Sequence, residues 1–141
     1  MAKPTASLPY RFAGPPRLIT DPYLLDEIDG ALPANFSGDP ALLFWRPAHL
    51  DPAALKSRFT RRGERYQCKD REWWGPFDQD QIGRLVGLYL AGKVTEPVLL
   101  LDFGQAGVAI PDGAHRVAAA LRAGMAEIAV LVCRLPGTST G

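Results

Sequence analysis

Val108-Ala109-Ile110-Pro111-Asp112-Gly113-Ala114-His115-Arg116 decides how the rest of the chain is read. An apolar run that suits a strand meets Pro-Asp-Gly, a turn signal. Val117-Ala118-Ala119-Ala120-Leu121-Arg122-Ala123 then follows at helical spacing and stops at Gly124. The pattern predicts a strand over 108–110, a sharp turn, a helix over 113–123 with Val117, Ala118 and Leu121 facing inward, and a strand over 128–132. With Asp112 as the N-cap, Gly113, Ala114 and His115 fill the first turn, where backbone N–H groups lack intrahelical partners. Those amides, beside the side chains of His115 and Arg116, suit a phosphate group.

Upstream, the same signals recur. Asp21-Pro22 reads as an N-cap followed by proline at the first helical position, with Gly30 as the stop and Tyr23, Leu24 and Ile28 as the inner face. Residues 41–45 (Ala-Leu-Leu-Phe-Trp) read as a buried strand, Asp51-Pro52 as a second helix start running to Gly63, and 64–69 as a short strand. Asp78 with Gln81 forms an Asp-type capping box. It opens a helix over 79–91 that carries Ile82, Leu85, Val86 and Tyr89 on one face. Val98-Leu99-Leu100-Leu101 is a strand, and 102–107 a hairpin-like loop. The first twenty residues, with Pro4, Pro9, Pro15 and Pro16, read as an extended arm. Helices and strands alternate, which gives an α/β (α+β) class with one domain over 21–141.

Composition narrows the function. The chain has 141 residues, 47% hydrophobic and 22% charged, and a net charge of +1. That is an ordinary globular balance, so contact with nucleic acid needs a local patch rather than a whole-molecule field. No apolar run is long enough for a membrane span or has the form of a secretory signal, so the expected location is cytoplasmic. Cys68 and Cys133 stand apart from any metal-ligand pattern and read as reduced, half-buried strand residues.

At the 112–116 turn, Gly113 admits a close approach of the backbone to a ligand, and Arg116 suits bidentate contact with phosphate. The Asp112 carboxylate would compete with an anion there, a conflict that Mg2+ bridging Asp112 and the phosphates removes. A capped helix start with histidine and arginine facing solvent accounts for the same residues. Lys56, Arg58, Arg61, Arg62 and Arg65 form a second candidate, a basic stretch that could hold a nucleic-acid backbone or simply be a solvated helix face. Trp73, Trp74 and Phe77 could stack on bases or plug the core, and Glu96 reads either as a base or metal partner or as a surface residue at a strand start.

The order helix, strand, loop, strand, Asp-Gly-Ala-His-Arg, Ala-rich helix, Gly124, strand resembles the ParB/sulfiredoxin superfamily over about residues 77–134. The resemblance implies a compact mixed-sheet fold that binds nucleotide phosphates at the turn. Members include DNA-partitioning proteins that hydrolyse CTP, sulfiredoxins that use ATP, a free-serine kinase, and plasmid or phage proteins credited with NTPase and DNase activity. Carried over by position, it assigns phosphate contact to Gly113, His115 and Arg116, and a further nucleotide contact to Gln81 and Arg84, which plain surface residues would equally account for. The turn itself adds Ala114 as a nucleotide contact, and the expected catalytic residues are Asp112, on Mg2+, with His115 and Arg116. Sulfiredoxins carry their nucleophilic cysteine where this chain has Ala114, so sulfinic-acid reduction is excluded. The partitioning proteins have a second arginine where His115 stands. The expectation is a nucleotide-binding protein using ATP or CTP with Mg2+ in NTP hydrolysis or transfer. A DNA-binding nuclease or effector of a mobile element, using the 56–65 basic stretch, and a non-enzymatic interaction or immunity protein are the competing readings.

Overall fold

The structure, a computed structural model, describes residues 8–34, 36–55, 76–104 and 107–135. Among these, six strands and three α-helices form an α+β fold in three layers. The strands are β1 (Arg11–Phe12), β2 (Arg17–Leu18), β3 (Phe44–Leu50), β4 (Val98–Asp102), β5 (Val108–Asp112) and β6 (Ile128–Arg134). The helices are α1 (Pro22–Ala31), α2 (Pro76–Leu90) and α3 (Ala114–Ala123). The sheet runs β1-β3-β6-β4-β5, with β2 also paired to β3. Its β4–β6 pair is parallel and the others antiparallel.

Strand periodicity sorts the core into two halves. Val98 and Leu100 of β4, with Val108, Ile110, Val130 and Val132, face α2 and α3 and meet Ile82, Tyr89 and Val117 to Ala120. Leu99 and Leu101, with Ala109, Leu131, Cys133 and Trp45, face the other way, toward Ile28 of α1. Every residue of β4 is buried, so this strand reads as an unbroken apolar run because both its faces are covered. Val117 and Ala118 face inward as expected, with Leu121 half-buried beside them. At the end of α3, Gly124 takes a left-handed conformation and its N–H reaches the carbonyls of Ala120 and Leu121.

Four expectations change. The arm is partly stitched into the sheet: β1 and β2 both pair with β3, and Leu8 and Ile19 are buried. The strand expected at 41–45 starts later. Asp39 accepts from Ala41 N at 2.9 Å and caps a 3-10 turn at Pro40–Leu42, the same Asp-Pro signal that starts α1. β3 then continues through Pro47, whose carbonyl accepts from Ala13 N on the side away from β6. The N–H that proline lacks would point the same way, so the β3–β6 ladder loses nothing. The helix after Asp51-Pro52 is a 3-10 turn over Pro52–Leu55 within the described residues, and the strand at 64–69 lies outside them. Finally, Tyr23 does not join the inner face of α1. It is 63% exposed, while Ile28 is fully buried.

Cys133 is buried and unpaired, and burial pushes its thiol up to about 11. The protonated form is therefore favoured in the folded state. This contribution to stability is complete below the ordinary thiol range and is lost as pH rises through about 11. At neutral pH Cys133 should resist iodoacetamide in the native protein and react on unfolding, as read by peptide mass mapping. Fast native alkylation of Cys133 would contradict its burial.

Candidate functional site

An open cleft of about 570 Å³ lies where the start of α3 meets α2 and the start of α1. Asp112, Gly113, His115 and Arg116 line it from the β5–α3 junction, Gln81 and Arg84 from α2, and Glu96 from the segment before β4. Asp21, Tyr23 and Leu24 close the α1 side. The residues singled out at 81–84 and 112–116 are thus brought to one place, except that Ala114 is not among the lining residues. Ala114 is half-buried and opens α3.

The local geometry of the turn differs from expectation. β5 runs through Pro111 to Asp112, and the N-cap is Gly113 (φ 111°, ψ 17°), not Asp112. Among the described residues β5 is an edge strand paired only with β4, so it tolerates Pro111. A Cβ on Gly113 would lie 3.0 and 3.1 Å from the Val98 methyl carbons and 3.2 Å from Val98 Cα. Glycine is therefore required by its backbone angle and by contact with β4, independently of any ligand.

Asp112, one residue earlier, turns its carboxylate the other way. Its Oδ2 accepts from Arg116 Nη2 at 2.6 Å, and no side chain among the described residues caps the first turn of α3. The competition expected between Asp112 and an anion for those amides is absent. Arg116 is 13% exposed, and its Nη1 also donates to the carbonyls of Glu96 (2.9 Å) and Pro97 (3.1 Å). It clasps the start of α3 to the segment entering β4, which corrects its reading as a surface side chain. Its charge is close enough to favour the ionised Tyr89 phenol, although burial dominates and raises that group.

His115 Nε2 lies 2.8 Å from Asp78 Oδ1. Asp78 sits inside the first turn of α2, which starts at Pro76, so it is not the N-cap that its spacing to Gln81 suggests. Gln79, one residue on, accepts from Arg122 Nη2 at 2.6 Å, and the two helices are joined at both ends of α3. Nothing local in the sequence links Asp78 to His115, which lie 37 positions apart. Arg84 is the most solvent-accessible cation of the cleft. Among the described residues its only partner is Asp80 one turn back, at 3.4 Å, with both side chains 70% exposed. Phe77 is 68% exposed and so is not a core plug.

Other candidates fall elsewhere. Lys56, Arg58, Arg61, Arg62, Arg65, Cys68, Trp73 and Trp74 lie outside the described residues. No family model, curated protein or solved structure matches this chain. Among the described residues no helix is long and apolar enough to cross a membrane, and no group of three or more His, Cys, Asp or Glu side chains is arranged to hold a metal ion.

Proposed function

We propose that the cleft binds a nucleoside triphosphate with Mg2+ and that the protein carries out NTP hydrolysis or phosphoryl transfer there, the activity implied by the resemblance of 77–134 to the ParB/sulfiredoxin superfamily. The observation that carries this reading is the α3 N-terminus, free of any side-chain cap among the described residues, opening onto a cleft that also holds Arg84, His115 and Arg116. Amides of a first helical turn and the positive end of the helix dipole favour phosphate oxygens. Arg84 can swing from Asp80 onto a phosphate at little cost, because an exposed pair held at 3.4 Å is weak.

Arg116 plays a different part. With three of its hydrogen bonds spent on Asp112, Glu96 and Pro97, it fixes the turn and presents its remaining N–H groups and its charge to the ligand. Asp112 Oδ1 makes no hydrogen bond among the described residues and is the group that would hold Mg2+. A single carboxylate is adequate, since Mg2+ keeps several waters and takes phosphate oxygens as further ligands. When bound, the ion would neutralise charge on the transferring phosphate. Glu96, exposed on the cleft wall, is the candidate base for an acceptor hydroxyl or water.

Thermal unfolding with ATP and CTP, with and without Mg2+, tests the reading. A ligand at one hundred times its Kd stabilises the native state by about 2.7 kcal/mol. Wild type should therefore melt several degrees higher with one of the nucleotides, and Arg84→Ala should lose most of that rise while its unliganded Tm stays put. No shift with any nucleotide in either condition would overturn the proposal.

A further inference from the structure

The cleft has two kinds of wall. Charged groups (Arg84, His115 and Arg116, with the carboxylates of Asp21, Glu96 and Asp112) line it beside Gly113, and so do apolar ones: Tyr23 and Leu24 from α1, Leu85 and Leu88 from α2. Two of these side chains are unusually open to water, Tyr23 at 63% and Leu88 at 42%. α1 does not need Tyr23 for its own packing, because Ile28 and Leu32 anchor it to the sheet from full or near-full burial. The backbone of Tyr23 is nevertheless fixed, its N–H donating to the capping carboxylate of Asp21 at 2.9 Å. An aromatic ring on an anchored backbone, lining a cleft that a half-exposed leucine of another helix also lines, has the form of a stacking platform.

Resting on the reading of the cleft as a phosphate site, we infer that Tyr23 stacks against the base of the bound nucleotide, with Leu88 on the facing wall. The site then selects a polyphosphate that carries a planar heterocycle over the same polyphosphate without one. The phosphates occupy the Gly113–Arg116 end and the base the Tyr23–Leu88 end, and a cleft of about 570 Å³ is of the size that holds a small ligand of this kind. A neighbouring hollow of about 300 Å³ shares Asp21, Leu24, Glu96 and Asp112 with the cleft. It adds Arg17 and Thr20, polar groups that can meet the edges of a ring or a ribose.

Calorimetric titration of the full chain with magnesium tripolyphosphate and with magnesium ATP and CTP separates this inference from the one beneath it. Wild type should bind a nucleotide at least tenfold more tightly than tripolyphosphate. Tyr23→Ala should weaken nucleotide binding by roughly 10- to 100-fold, the range that removal of an aromatic stacking partner brings. It should leave tripolyphosphate binding and the unliganded Tm unchanged, since Tyr23 is mostly exposed. Tyr23→Phe keeps the ring and should retain the nucleotide. Equal wild-type affinity for nucleotide and tripolyphosphate, or a Tyr23→Ala variant that binds nucleotide like wild type, would overturn the stacking role while leaving the phosphate site intact. Failure of wild type to bind either ligand overturns both.

Discussion

Arg116→Ala should destabilise the folded chain by about 2–4 kcal/mol, somewhat below the roughly 3–5 kcal/mol lost when a buried ion pair is broken from one side. The discount follows from exposure: Arg116 is 13% and Asp112 26% accessible, so water can partly re-solvate the abandoned carboxylate. The loss still exceeds a surface deletion, because one guanidinium serves three acceptors. Asp112 Oδ2 and the carbonyls of Glu96 and Pro97 all lose a charged donor together. Arg116→Lys should recover only part of it, since an ammonium keeps the charge but cannot span the same fork. Urea unfolding of wild type and both variants at one pH measures these differences. A change below about 0.5 kcal/mol in Arg116→Ala, the size of an ordinary surface substitution, would show that the clasp contributes nothing.

This expectation bears on how ligand binding is tested. A loss of nucleotide affinity in Arg116→Ala would mix a missing phosphate contact with a loosened turn, because the same side chain ties α3 to the entry of β4. Arg84 is free of that ambiguity. Among the described residues it is held only by an exposed pair one turn back on its own helix, and its removal reports on the cleft. The sequence alone suggests the opposite choice, since Arg116 stands in the conspicuous motif and Arg84 in an unremarkable helix.

What could be read without coordinates followed from short-range rules. β4 is apolar at 98–101 because both its faces are covered, and α1, α3 and the β4–β5 hairpin announce themselves through Asp21-Pro22, Gly124 and the 102–107 loop. The errors came where two local signals compete or where the partner is remote. Asp39-Pro40 caps a 3-10 turn inside a stretch whose apolar residues read as strand, so β3 starts at Phe44 instead of Ala41. Pro111 looks like a strand stop, but β5 is an edge and continues past it. Asp112 has the residue type of an N-cap, yet an arginine one helical turn later draws its carboxylate away. Asp78 and His115 meet only because α2 packs on α3, and Tyr23 stays outside because Ile28 and Leu32 already fill the space under α1. The cleft itself is legible only in three dimensions, since its walls come from α1, α2, the segment before β4 and the β5–α3 turn.

Gly113→Ala should be costly for two separable reasons, with a combined loss of about 2–6 kcal/mol. The first is backbone strain: at φ 111° an L-residue sits outside its allowed regions, which costs of order 1–3 kcal/mol. The second is collision, because the new methyl would meet both Val98 methyl carbons near 3 Å and Val98 Cα at 3.2 Å. Overpacking of this sort costs about 1–3 kcal/mol where the neighbour cannot retreat, and Val98 is fully buried at the start of β4. A double-mutant cycle with Val98→Ala divides the two. Trimming Val98 removes the methyl carbons and leaves the backbone contact, so Gly113→Ala should cost less in the Val98→Ala background than in wild type. The part that persists is the strain at Gly113 together with the approach to Val98 Cα. If the cost of Gly113→Ala is unchanged by Val98→Ala, collision with the side chain plays no role, and the backbone angle with the approach to Val98 Cα demands glycine. If Gly113→Ala is neutral in both backgrounds, the left-handed turn that sets α3 against the cleft does not exist as described, and the geometry on which the phosphate reading rests goes with it.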